Sequence, residues 1–158
     1  MSRLESMYRR IGAQISGLNW AVEMIADLPG DVLELGLGNG RSYHHLREKL
    51  PNRSIWVIDR EMNAHPSSVP PDEYFLKGEA EAMLARMAAN GVRLALAHYD
   101  FGVGVDEVDD AEALRLSPAI RSVMVPGGVI VSQQRLEGFS AETGPDDIAR
   151  GRYFFYRA

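Results

Sequence analysis

From residue 31 the chain runs through Asp31-Val32-Leu33-Glu34-Leu35, an apolar stretch. It then passes Gly36-Leu37-Gly38-Asn39-Gly40 and enters a helix-forming stretch at Arg41-Ser42. Three glycines at alternate positions free the backbone from Cβ sterics, so it can turn sharply and let another group approach the main chain. A strand that ends on such a turn and feeds straight into a helix is the opening of a β-α unit. The helix start leaves amides unpaired and presents the positive end of its dipole to a polar ligand group. This one segment therefore constrains both the architecture and the place where a ligand would sit.

The rest of the chain keeps the same alternation. Residues 2–28 read as a helix: Ser2 and Glu5 have capping-box spacing, and Leu4, Met7, Tyr8, Ile11, Ile15, Leu18, Val22 and Ile25 form one apolar stripe. Gly12 and Gly17 weaken its interior, and a break is expected near Ser16-Gly17. Strands are expected over 31–35, 54–59, 74–77, 92–99, 129–133 and 152–157, and helices over 41–50, 79–90 and 108–125, the last interrupted near Pro118. Residues 61–73, broken by Pro66, Pro70 and Pro71, read as a loop, Pro126-Gly127-Gly128 as a turn, and 135–151 as loop. Strands alternating with helices imply right-handed crossovers. The expected fold is α/β: a doubly wound, mostly parallel sheet of about six strands with helices on both faces. It forms one domain over 1–158, divided into a helical extension (1–29), a core (30–134), and a loop with a final strand (135–158).

Several function classes recede on charge and composition. The formal net charge of −5 lacks the basic surplus by which proteins neutralise nucleic-acid phosphates; Arg3, Arg9 and Arg10 are the only local basic cluster. With no cysteine, disulfides, thiolate metal ligands and a thiol nucleophile are excluded. Apolar runs fall short of the roughly 20 residues that span a bilayer, and the N-terminus has no signal-peptide pattern. A cytoplasmic location without membrane attachment is the expectation.

The identity of the ligand turns on two acids. A dinucleotide motif wants G-x-G-x-x-G, its third glycine permitting close helix–strand packing; here that place holds Arg41. Glu34 puts a carboxylate at the strand end, which repels a pyrophosphate but can accept hydrogen bonds from an ammonium, directly or through water. Asp59 closes the second strand, where a carboxylate can take both hydroxyls of a ribose. That feature indicates adenosine without choosing between NAD and an amino-acid-bearing nucleotide, and a solvated turn aspartate remains its bland alternative.

Glu34-x-Gly36-x-Gly38-x-Gly40, then Asp59, then Pro126-Gly127-Gly128, resembles the class I S-adenosylmethionine-dependent methyltransferase family over about residues 30–134. The resemblance implies a Rossmann-like methyltransferase fold with S-adenosyl-L-methionine as cofactor. It implies that Gly36, Leu37, Gly38, Asn39, Gly40 and Ser42 back the methionine part, that Asp59 with Arg60 holds the ribose, and that Gly78, Glu79 and Ala80 lie beside the adenine. It sets His98-Tyr99-Asp100-Phe101-Gly102 by the methionine part and the substrate. Asp100 is the candidate to face the sulfonium, and His98 and Tyr99 are the candidates to steer or deprotonate an acceptor. His98 and Asp100 share a strand face, with Tyr99 on the other.

Departures from better-known subfamilies narrow the reading. There is no Asn/Asp-Pro-Pro-Tyr/Phe motif, and Ser132-Gln133-Gln134 stands where metal-dependent members carry an Asp-Asn pair, so no metal is expected. The chain is short for the family, which leaves the substrate lid lightly built; a homo-oligomer is expected to complete it, with the aromatic last strand as an edge. The favoured reading is methyl transfer to a small-molecule acceptor. A non-catalytic cofactor-binding module and an NAD-type oxidoreductase are the alternatives.

Overall fold

The capping box at the N-terminus forms: the Glu5 amide donates to the Ser2 hydroxyl at 3.1 Å, and the Ser2 amide donates to the Glu5 carboxylate at 2.5 Å. In the computed structural model, which describes residues 1–158, helix α1 then runs unbroken over Arg3–Met24. The break expected at Gly17 is absent because that glycine serves packing: a Cβ there would meet the Phe155 ring at 3.3 Å. The expected stripe is not the buried face: of its eight members only Leu18 and Ile25 are buried, and the helix packs instead through Ala13, Gly17, Leu18 and Ala21. Leu4 and Tyr8 are 78% and 79% exposed.

The remaining elements follow as β1 (Asp31–Leu35), α2 (Arg41–Lys49), β2 (Ile55–Asp59), β3 (Phe75–Lys77), α3 (Ala80–Ala89), β4 (Leu94–Tyr99), α4 (Asp106–Val123), β5 (Met124–Ser132), β6 (Ser140–Glu142) and β7 (Phe154–Arg157). They form one sheet of seven strands in the order β3-β2-β1-β4-β5-β7-β6. The five strands from β3 to β5 are parallel, and β7 runs antiparallel to both its neighbours. Helices α1 and α2 cover one face, joining Leu18, Ala21, Tyr43 and Leu46 to Val32, Val57, Leu96 and Val131. Helices α3 and α4 cover the other, joining Leu84, Met87, Leu116 and Ile120 to Leu33, Ile58, Leu94 and Ile130. Parallel strands buried on both faces explain why β4 is apolar at five of its six positions rather than alternating.

Four more sequence-based expectations need correction. The sheet has seven strands, not six, because residues 140–142 pair with β7. Pro118 does not interrupt α4, which continues to Val123 while Ala113, Leu116, Ile120 and Val123 stay buried on the sheet. Pro126-Gly127-Gly128 is not a turn before β5 but an irregularity inside it: the register with β4 shifts between Leu94 and Leu96. The last strand is also no free edge. It sits between β5 and β6, with Phe155 and Tyr156 buried.

From β1 the chain winds outward through β2 and β3, then returns to place β4 on the other side of β1. That makes the gap between β1 and β4 the switch point, where open α/β sheets leave a crevice beyond the strand ends.

Candidate functional site

A cavity of about 420 Å³ opens at this switch point, lined by Gly36, Gly38, Asp59, Arg60, Gly78, Glu79, Ala80 and Asp100 among others. The size lies within the roughly 300–1,000 Å³ usual for small-molecule sites. The three loop glycines serve different ends. Gly36 (φ 94°) has no room for a side chain, since a Cβ would meet the Asp100 carbonyl at 2.7 Å and Phe101 Cβ at 2.6 Å; it lets the loops after β1 and β4 touch. Gly40 (φ 87°) starts α2, and a Cβ there would strike Ser68 at 2.7 Å. Only Gly38 (φ 52°) looks onto open space, with nothing within 4 Å. The expectation that the whole loop backs a ligand therefore narrows to Gly36 and Gly38. Leu37 points into the core beside α1 and α2, Asn39 uses its carbonyl to accept from the His65 amide at 2.9 Å, and none of Leu37, Asn39, Gly40 and Ser42 lines the cavity.

Asp59 lines the cavity and braces the loop as well. One carboxylate oxygen accepts the Leu37 and Gly38 amides at 2.8 and 3.3 Å, and the other accepts the Glu61 amide at 3.3 Å. Nearby, Arg60 pairs with Glu79 at 2.9 Å across exposed ground. The far wall is formed by Phe101, Gly102, Val103, Val108, Asp109 and Glu112; the sequence reading set the first two beside the ligand and missed the acids Asp109 and Glu112. There Asp109 folds the loop after β4 by accepting the Val103 and Gly104 amides at 2.7 and 3.0 Å. Gly102 abuts that carboxylate, as a Cβ would sit 2.6 Å from its carbon. The sequence offers only an acid near the start of a helix as a clue to this role.

Glu34 is not at the cavity wall. Its carboxylate is fully buried, with one oxygen accepting from the Ser42 hydroxyl at 3.0 Å and from the His98 Nδ1–H at 2.9 Å. The two residues face each other in the β1–β4 register. Burial pushes the Glu34 carboxyl above its usual value. Burial alone would lower His98, but the Glu34 carboxylate, with Asp100 beyond it, outweighs burial and raises it. The other Glu34 oxygen and His98 Nε2 are buried without partners. His98 Nε2 stands 4.0 Å from Asp100, and the Asp100 carboxylate accepts from the Gln14 amide of α1 at 2.5 Å. Direct contact between Glu34 and a ligand, and between His98 and an acceptor, thus has no support in this geometry; both sit one layer beneath. Tyr99 is further removed. It is buried on the opposite face against α3 and α4, and burial raises its phenol, so it is no base for a substrate above the sheet.

The lining has a clear electrostatic sense. Five acids (Asp59, Glu79, Asp100, Asp109 and Glu112) stand against one base, Arg60. An anionic pyrophosphate is disfavoured there, and a ligand bearing ammonium and sulfonium charge is favoured. The open face at Gly38 leaves room for such a ligand, so the residues present fit an adenosyl amino acid.

A parallel sheet with a glycine-backed, acid-lined crevice at its switch point defines a Rossmann-like nucleotide-binding domain of the methyltransferase type. The profile of the S-adenosyl-L-methionine methyltransferase family matches residues 1–158, and the chain belongs to that family. It is an S-adenosylmethionine-dependent methyltransferase. A solved S-adenosyl-L-methionine methyltransferase from Silicibacter pomeroyi DSS-3 is 36% identical, with a TM-score of 0.92 over 99% of this chain and 98% of that one. Two more distant structures share the fold. The calicheamicin methyltransferase CalS11 is 15% identical with a TM-score of 0.59, over 92% of this chain and 78% of that one. Human methyltransferase-like protein 13, solved with SAH, is 11% identical with a TM-score of 0.56, over 96% and 81%. No curated protein matches the chain by sequence.

Proposed function

We propose that this protein methylates a small-molecule acceptor, with the cofactor held in the cavity between β1, β2 and β4. The observation that carries the reading is the excess of carboxylates around a glycine whose Cβ position is open. Bound S-adenosylmethionine supplies an electrophilic methyl group on a sulfonium. The chain's own residues bind and orient. The Gly38 main chain faces the amino-acid part, Asp59 faces the ribose, and Glu79 and Ala80 flank the base. Asp100, tied to Gln14 of α1, is the carboxylate nearest the cation. Phe101, Val103 and Val108 exclude water from one side, which strengthens the electrostatic contacts within. Glu34 and His98 position Asp100 from beneath.

A small-molecule acceptor is favoured by the acidic balance of the chain, which suits nucleic acid poorly. Two solved structures that share the fold, a calicheamicin methyltransferase and a pyocyanin biosynthetic protein, bear names of small-molecule chemistry. No helix is long and apolar enough to cross a membrane; a cytoplasmic location fits the absence of cysteine. Exposed Leu4, Met7, Tyr8, Ile11 and Ile15 along α1 support self-association.

Isothermal titration with S-adenosylmethionine and, separately, NADH tests the reading. Binding of the first and not the second is expected; the reverse would overturn the assignment of the cavity.

A further inference from the structure

Helix α1 rests on the sheet only through its second half. The Arg53 guanidinium, just before β2, donates to the Ile25 carbonyl at 2.6 Å and fixes the helix end at the edge where the strands begin. At the opposite edge Gln14 reaches Asp100, the residue after β4. Residues 3–12 therefore run on past the strand ends, about 15 Å of helix at roughly 1.5 Å per residue. This overhang is held firmly. Its start is capped by Ser2 and Glu5, its Ser6 carbonyl accepts from Arg152 at 3.1 Å, and just behind it the Ser16 hydroxyl donates to Asp147 at 2.6 Å.

The outer face of the overhang is apolar. Leu4, Met7, Tyr8 and Ile11, continued by Ile15, fall within an arc of about 100° around the helix and are 38–79% exposed. With Met1 they leave roughly 750 Å² bare, at about 200 Å² for a fully exposed large residue. Monomeric proteins rarely expose a contiguous apolar patch beyond about 300–600 Å². Gly12 belongs to the same overhang, and a Cβ there would meet nothing. No packing within the chain asks for that glycine, unlike Gly17, and it weakens the helix. One turn beyond Tyr8, it lowers the helix surface so that another backbone can approach.

The order of the stripe identifies what covers it. Across an antiparallel helix pair with a two-fold axis between residues 7 and 8, Leu4 lies opposite Ile11 and Met7 opposite Tyr8. The apolar positions map onto themselves, which is the self-complementarity that a two-fold interface requires. Two stripes together bury roughly 1,500 Å², the size of a standard stable interface. Arg3, Glu5 and Arg10 fall outside the arc and supply a polar border.

Resting on the self-association reading above, we propose that the protein is a two-fold dimer in which the overhanging halves of α1 pair antiparallel through Leu4, Met7, Tyr8 and Ile11. In this register the partner's Met1 falls opposite Gln14. Each chain's N-terminus is thereby set beside the Asp100 end of the other's cofactor cavity.

Sedimentation of the whole chain, joined to single-cysteine variants of a sequence that has no cysteine of its own, tests the proposal. A species of twice the chain mass is expected, and it should persist in about 1 M sodium chloride, which screens ion pairs and spares apolar contacts. Leu4→Glu and Tyr8→Glu should each weaken association at least about 30-fold, with the circular dichroism unchanged because both side chains are bare in the single chain. Leu114→Glu, at an exposed apolar residue of α4, should leave the dimer intact. Mild oxidation of mixed Leu4→Cys and Ile11→Cys chains should link one to the other. Leu4→Cys alone should not cross-link, since its two copies lie about 10 Å apart along the helices, beyond the roughly 7 Å that a disulfide spans. A strict monomer at every concentration defeats self-association altogether. A dimer that survives Tyr8→Glu, or that cross-links through Leu4→Cys alone, overturns this interface and leaves self-association standing. Monomers that cosediment with vesicles of phosphatidylserine and phosphatidylcholine would assign the stripe to a lipid surface and overturn the proposal as well.

Discussion

Replacing His98 by leucine removes the only charged partner of a carboxylate that is completely buried. In the native chain Glu34 has two neighbours on one oxygen, His98 at 2.9 Å and Ser42 at 3.0 Å, and none on the other. Breaking a buried pair by deleting one member typically costs about 3–5 kcal/mol, because the survivor is stranded without a counter-charge. In a chain of this length each kcal/mol moves the melting temperature by about 2–4 °C, so a fall of roughly 6–20 °C is expected at pH 7. The variant itself should gain stability on going from pH 7 to pH 5. Burial already holds the Glu34 carboxyl above its usual value, and a protonated carboxyl needs no counter-charge. The wild-type chain follows the same sign. His98 keeps its proton more tightly folded than unfolded, so its contribution is complete below about pH 6.5, the unfolded value, and is lost as pH rises through the folded one. The double variant Glu34→Leu with His98→Leu should recover most of the loss, since apolar replacement of a whole buried pair is often neutral. Urea denaturation at pH 5 and pH 7 decides the matter. A loss under about 1 kcal/mol for His98→Leu at pH 7, or a double variant less stable than the single, refutes the reasoning.

Gly38→Arg should abolish S-adenosylmethionine binding in calorimetry, because the new side chain fills the cavity; its Cβ meets no protein atom within 4 Å, so the positive φ adds only about 1–2 kcal/mol of local strain and the fold should survive by circular dichroism. Retained binding would move the cofactor elsewhere. Asp109→Ala leaves the Val103 and Gly104 amides without their acceptor, which should cost about 1–3 kcal/mol in denaturant unfolding and weaken cofactor binding several-fold.

The local features of this fold were readable because they depend on neighbours in the chain. The capping box at Ser2 and Glu5, the glycine turn after β1 and the carboxylate closing β2 each follow from a few adjacent residues. What escaped depends on distant ones. Glu34 reads as an exposed strand-end acid until His98, on the strand beside it, is brought opposite. Gly17 reads as a helix breaker until Phe155 packs against it. Ser140-Ala141-Glu142 has weak strand propensity and becomes a strand because β7 presents an open edge to it. The wall at Gly102 and Asp109 arises from a loop folding back on the helix it precedes, which no periodicity announces.

The carboxylates around the cofactor cavity also bear on how a catalytic round ends. With the cofactor placed as proposed, a cationic sulfur is attracted by Asp100 and its neighbours, and a neutral thioether is not. The same groups that retain the incoming nucleotide therefore loosen their hold once its charge has gone. On the proposed placement of the cofactor, the reaction itself therefore removes part of the attraction that holds the spent molecule.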